Sequence, residues 1–119
     1  MGIRKEMRVD LELPIRVSGL DAAGDIFEQD AFTINITPAG AQIWGVYRSI
    51  KVGTILVIQH RLNHARFRVI WTGIPNTPSE GRIGVELMDT GRYIWGQGLQ
   101  RILGDDYDGP RSMAAASAD

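Results

Sequence analysis

The sequence predicts an all-β fold, a small barrel or sandwich of six short strands followed by one short C-terminal helix. Three observations carry this expectation. Apolar residues recur at every second position through most of the chain, turn residues stand between these segments, and the period changes after Asp89.

The elements follow in order. Leu11, Leu13, Ile15 and Val17 alternate with Glu12, Pro14 and Arg16 and predict strand one; Pro14 inside it implies an amide facing an edge or solvent. Asp21 to Asp25 (DAAGD) predicts a turn. Phe32, Ile34 and Ile36 alternate with Thr33, Asn35 and Thr37 and predict strand two, with Ile34 and Ile36 in the core and Asn35 and Thr37 on the outer face. Pro38 to Gly40 reads as a tight corner. Ala41, Ile43 and Gly45 then face opposite to Gln42 and Trp44. Val52-Gly53 marks a turn before Ile55 to Ile58, an apolar run whose faces periodicity alone does not assign. Asn63-His64 marks the next turn. Phe67, Val69 and Trp71 alternate with Arg66 and Arg68, and Ile83, Val85 and Leu87 with Arg82 and Glu86. Between these two segments, Pro75 to Gly81 (PNTPSEG) is a polar loop whose prolines exclude a central strand. Tyr93, Ile94, Leu99, Ile102 and Leu103 predict a short amphipathic helix able to plug one end of a barrel, weakened by Gly96 and Gly98. The expected organisation is a flexible arm over 1–9, a barrel with its terminal helix over 10–104, and a disordered tail over 105–119.

Composition narrows the function. With 44% apolar and 23% charged residues, 119 residues build one modest core and leave little room for a second domain. A net charge of −1 with only two lysines argues against a nucleic-acid-binding barrel. The absence of cysteine excludes disulfides and thiolate metal sites. No apolar run is long enough to span a bilayer, and residues 1–8 lack the apolar stretch of a signal peptide, so a cytoplasmic protein without membrane insertion is expected. Charge is unevenly distributed. No acid occurs between Asp30 and Glu80, a stretch that carries Arg48, Lys51, Arg61, Arg66 and Arg68, which predicts either a positive face or arginines spread around the barrel.

Catalytic constellations are missing. His60 and His64 flank an expected hairpin turn with no cysteine or carboxylate nearby, and read as surface histidines rather than metal ligands. Neither a phosphate-cradling glycine loop nor a nucleophile elbow occurs. No enzyme, metal or cofactor is expected.

Two short features remain. Arg4 and Arg8 stand four residues apart directly before strand one, and each guanidinium offers a planar fork of donors suited to phosphate oxygens or the Hoogsteen edge of guanine. Asn35 and Thr37 place an amide and a hydroxyl side by side at the end of strand two, and Gly40 admits a close approach denied to other residues. In this order, RKEMRVDLELPIRV followed by NITPAGA resembles the PilZ domain family, which pairs Arg-x-x-x-Arg before the first strand with Asp/Asn-x-Ser-x-x-Gly after the second. Gly53 to Leu56, RVIWTG, GRIGVEL and YIWG are further echoes, and the resemblance spans residues 4–103.

The resemblance implies a six-stranded antiparallel PilZ-type β-barrel with a C-terminal helix that binds cyclic di-GMP. Arg4 and Arg8 would contact phosphates and guanine faces, Asn35 and Thr37 would hydrogen-bond a guanine, and Gly40 would let the chain turn beneath it. Thr37 departs from the family's serine; it keeps the hydroxyl and adds a methyl. The implied partners are cyclic di-GMP and an effector protein or a second copy of the chain, since no output domain is attached. The alternative is a PilZ-like interaction module that does not bind the nucleotide.

Overall fold

The structure, a computed structural model, describes residues 8–96. Among them are seven strands: β1 (Val9–Asp10), β2 (Pro14–Leu20), β3 (Ile26–Thr37), β4 (Gly40–Trp44), β5 (Ile55–His60), β6 (Asn63–Thr72) and β7 (Arg82–Leu87). Every pairing is antiparallel, in the order β1-β3-β2-β5-β6-β7-β4, and β4 pairs back onto β3 to close the ring. β1 and β2 lie along successive stretches of the same strand, β3, and act as one broken stave. The ring is therefore a closed six-stranded antiparallel barrel.

The break in the first stave is held by a buried hydroxyl. Between Asp10, opposite Asn35, and Pro14, opposite Phe32, the first stave uses one more residue than β3 does. Thr33, fully buried, spans the gap: its Oγ1 donates to the Leu11 carbonyl at 2.5 Å and accepts the Leu13 amide at 2.9 Å. A polar side chain is tolerated in the core because both of its hydrogen-bonding needs are met there.

Ile34 is the extra residue of β3 against β4, and this bulge reverses the phase of the strand. Before it, Phe27, Ala31 and Thr33 face the core; after it, Ile36 does. The expectation that Ile34 points inward is thus corrected. Ile34 is half-buried, and Phe32 lies outside, stacked on Trp44 with ring centroids 5.4 Å apart. A second bulge at Ile70, between Val69 opposite Val85 and Trp71 opposite Gly84, turns Trp71 away from the core that Phe67 and Val69 occupy.

Elsewhere the period holds. Leu56 and Ile58 fill the interior while Ile55 and Val57 face outward, which resolves the unassigned apolar run. The turn after it falls at Arg61-Leu62, two residues before the expected Asn63-His64. His60 is not a surface residue: it is 5% exposed, with Nδ1 3.1 Å from the Pro14 carbonyl and its ring tilted against Trp95. Ile94 and Trp95 complete this end of the core, but Tyr93 to Gly96 are irregular rather than helical. The remainder of the expected helix (Leu99, Ile102 and Leu103), the 105–119 tail and Arg4 lie outside the described residues. Val9, placed in the expected arm, pairs with Ile36, and residues 1–7 of that segment lie outside the described residues.

Within the acid-free stretch, Arg48 and Arg66 are paired. Acids from other parts of the chain return to these arginines. Asp21 pairs with Arg48, whose guanidinium also covers the Phe27 ring, and Asp89 takes the Arg66 side chain and amide together.

Candidate functional site

The barrel's outer surface carries two cross-strand rows that face the same way. The first runs Asp10, Asn35, Gln42, Gly84 and Trp71, one residue each from β1, β3, β4, β7 and β6. The second runs Thr37, Gly40, Glu86 and Arg68 from β3, β4, β7 and β6. The two rows are two residues apart along β3, β4 and β7, so side chains of both project to one side. Adjacent strands lie about 4.8 Å apart, which makes the first row about 19 Å long over four steps and the second about 14 Å over three.

An open pocket of about 390 Å³ lies over these rows, with Arg8 at its rim. Four of the five residues singled out in the sequence, Arg8, Asn35, Thr37 and Gly40, line it together. The fifth, Arg4, falls outside the described residues.

Each of the four has a definite local cause. Arg8 immediately precedes β1, and the β1–β3 pairing sets it beside the end of β3. Its side chain is exposed and has no ion pair among the described residues. Asn35 is 6% exposed, lies opposite Asp10 on one side and Gln42 on the other, and its side-chain amide makes no hydrogen bond among the described residues. Its amide atoms are not fully enclosed, so the open pocket leaves them available to water or a ligand.

Thr37 is already partly committed. Its Oγ1 accepts the amides of Ala39 and Gly40, both at 3.0 Å, and so caps the Pro38-Ala39 turn. One hydroxyl hydrogen is left to donate. Gly40 serves packing rather than an unusual dihedral. It is not in the left-handed region, but a Cβ there would overlap the Val85 carbonyl oxygen of β7. The close approach expected at this glycine is therefore made by a neighbouring strand.

No family model matches the sequence, and no curated protein matches it. Among solved structures the chain is similar to the PilZ domain of CeSA from a cellulose-synthesizing bacterium, with a TM-score of 0.54 over 82% of this chain and 90% of that one. The barrel has the PilZ fold. At 18% identity the likeness is one of architecture.

Three pocket residues of this PilZ-type barrel escaped the sequence reading. Trp71 looked like a core residue by alternation; the Ile70 bulge instead lays its indole over Gly84, where any Cβ would overlap the ring nitrogen. Gln42 and Glu86 looked like ordinary outward residues of two strands. Only the β3–β4 and β4–β7 registers bring them beside Asn35 and Gly40. Gly84 between two bulky apolar residues was the one available signal, since a glycine inside a strand marks a close approach. Among the described residues no group of His, Asp and Glu is arranged to hold a metal ion, and no helix is long and apolar enough to cross a membrane.

Proposed function

We propose that this chain is a receptor for cyclic di-GMP, a binding protein without catalytic chemistry, and that the pocket over β3, β4 and β7 takes the nucleotide. The observation that carries this reading is Asn35: a residue only 6% exposed whose amide bonds no described group and stays accessible through a pocket that Arg8, an unpaired guanidinium among the described residues, also lines. Such a pair suits a ligand that combines a polar base edge with a phosphate. The order of the two sequence motifs and the likeness to a PilZ domain support the same reading.

In this arrangement Asn35 offers an acceptor and two donors to a guanine, and the free Thr37 hydrogen adds one donor. Arg8, with Arg4 from the preceding segment, meets the phosphates and guanine faces; hydrogen bonds to charged groups contribute about 1.5–3 kcal/mol each. The flat indole of Trp71 forms an apolar flank of the pocket. After the cost of ordering the arm, these contacts fit a dissociation constant of about 1 μM, or about −8 kcal/mol. Signal output would then run through an effector protein or a second copy.

Calorimetric titration with cyclic di-GMP, and with GTP as control, tests the proposal. The expected result is selective binding that Arg8→Ala weakens at least about tenfold, equivalent to about 1.4 kcal/mol. A folded protein that binds no cyclic di-GMP would overturn it and leave a nucleotide-free interaction module as the better account.

A further inference from the structure

Glu86 is the anomaly of this pocket. A carboxylate is a poor neighbour for a ligand that carries two phosphates, yet it stands among the lining residues with half of its side chain exposed. No tight internal bond explains its presence. Its cross-strand neighbour Arg68 approaches only to 3.9 Å, beyond hydrogen-bond range, and no other described group bonds it. The ordinary account, a loose surface ion pair, would contribute little and would leave binding unaffected.

Its place in the row gives the carboxylate a different use. Thr37, Gly40 and Glu86 are consecutive cross-strand neighbours, so Thr37 and Glu86 stand on either side of a residue with no side chain. Two strand steps separate them by about 10 Å, with only backbone between them at Gly40, drawn against the Val85 carbonyl of β7. A flat base lying across that backbone would press one edge towards Glu86. An ionised carboxylate only accepts hydrogen bonds, so that edge must present donors. Guanine offers two adjacent donors, N1–H and the N2 amino group. Adenine offers an acceptor at N1 and only one amino donor beside it.

We infer that Glu86 is a specificity-determining residue, accepting the N1–H and N2–H of a guanine that lies across Gly40. The inference rests on the nucleotide reading above and adds to it the group that selects guanine over adenine. The arginines suit the phosphates and the Hoogsteen edge of guanine, and Glu86 adds a reader of its N1–N2 edge.

The test is a titration of cyclic di-GMP and cyclic di-AMP into the full chain and its Glu86→Ala and Glu86→Gln variants, with thermal melts to verify folding. Glu86 is half-exposed and pairs with nothing closely, so both variants are expected to melt as the parent does. The expected result is a loss of about tenfold for cyclic di-GMP in each variant, about 1.4 kcal/mol, with cyclic di-AMP binding unchanged or tighter, so that selectivity collapses. Unchanged or tighter cyclic di-GMP binding by Glu86→Ala would overturn the inference while the receptor reading stood. An equal change for both nucleotides would also overturn it, because simple charge repulsion does not distinguish bases. A parent chain that bound neither nucleotide would overturn both readings together.

Discussion

Two hairpins of this barrel have connections of the same length and are built on opposite principles. Thr37 pairs with Gly40 across Pro38-Ala39, and His60 pairs with Asn63 across Arg61-Leu62. In the first, every residue suits its place. Proline fixes the first central position, neither central residue needs a positive φ, and the Thr37 hydroxyl takes two amides of the turn. In the second, Arg61 is held at φ 58° where tight hairpins favour glycine, and Leu62 is 94% exposed. The well-built turn borders the candidate pocket and the strained one does not. A binding surface needs its backbone fixed, and here local turn chemistry does the fixing.

That contrast can be broken from either side. The largest effect is expected at Gly40→Ala. The new Cβ meets backbone rather than a movable side chain, so the β4–β7 ladder must open, at about 3 kcal/mol by chemical denaturation, the upper end of overpacking costs. Thr37→Val comes next. It keeps the shape and removes the acceptor from two amides, and is expected to cost about 1–2 kcal/mol, whereas Thr37→Ser should restore nearly all of it. A Thr37→Val protein as stable as the parent would mean that the hydroxyl does not hold the turn.

The second hairpin should respond in the opposite sense. Arg61→Gly relieves a backbone conformation unfavourable to a side chain and is expected to stabilise by about 1 kcal/mol, offset in part by the freer unfolded chain. The smallest effect concerns the clasp beside this hairpin. Side-chain and backbone hydrogen bonds from Arg66 hold the Asp89 carboxyl below its usual value of 3.8. A folded value below the unfolded one stabilises above the unfolded value and is lost as pH falls through the folded one. Asp89→Asn should therefore melt below the parent near neutral pH, and the gap should close as the solution is acidified below the ordinary carboxylate value and through the lowered one. A gap constant with pH would mean that the carboxylate's charge plays no part.

The legibility of the sequence divides along the same physical line. Local patterns were readable. The period-two faces of β2, β4 and β7 appear where expected, and Arg8, Asn35, Thr37 and Gly40 could be picked out because each pair lies close together in sequence. Bulges were not readable, because one inserted residue shifts the phase without changing composition. Thr33 and Trp71 therefore looked like an outer and an inner residue when the reverse holds. Contacts set by register were also hidden. Gln42 and Glu86 join the pocket only through strand pairing, and His60 lies under Trp95 from the far side of the hairpin.

The interrupted first stave has a consequence for how the barrel comes apart. The ring closes through β2, β3 and β4 without using β1, which adds only two residue pairs beyond the Thr33 stitch. β1 can therefore peel from β3 as a local event, while release of β2 would breach the cylinder and expose the core. Opening this seam breaks few backbone pairs and leaves the ring closed, so it should cost less than global unfolding. Arg8 sits at the loose end of that seam, so its distance from Asn35 can change while the rest of the barrel stays shut.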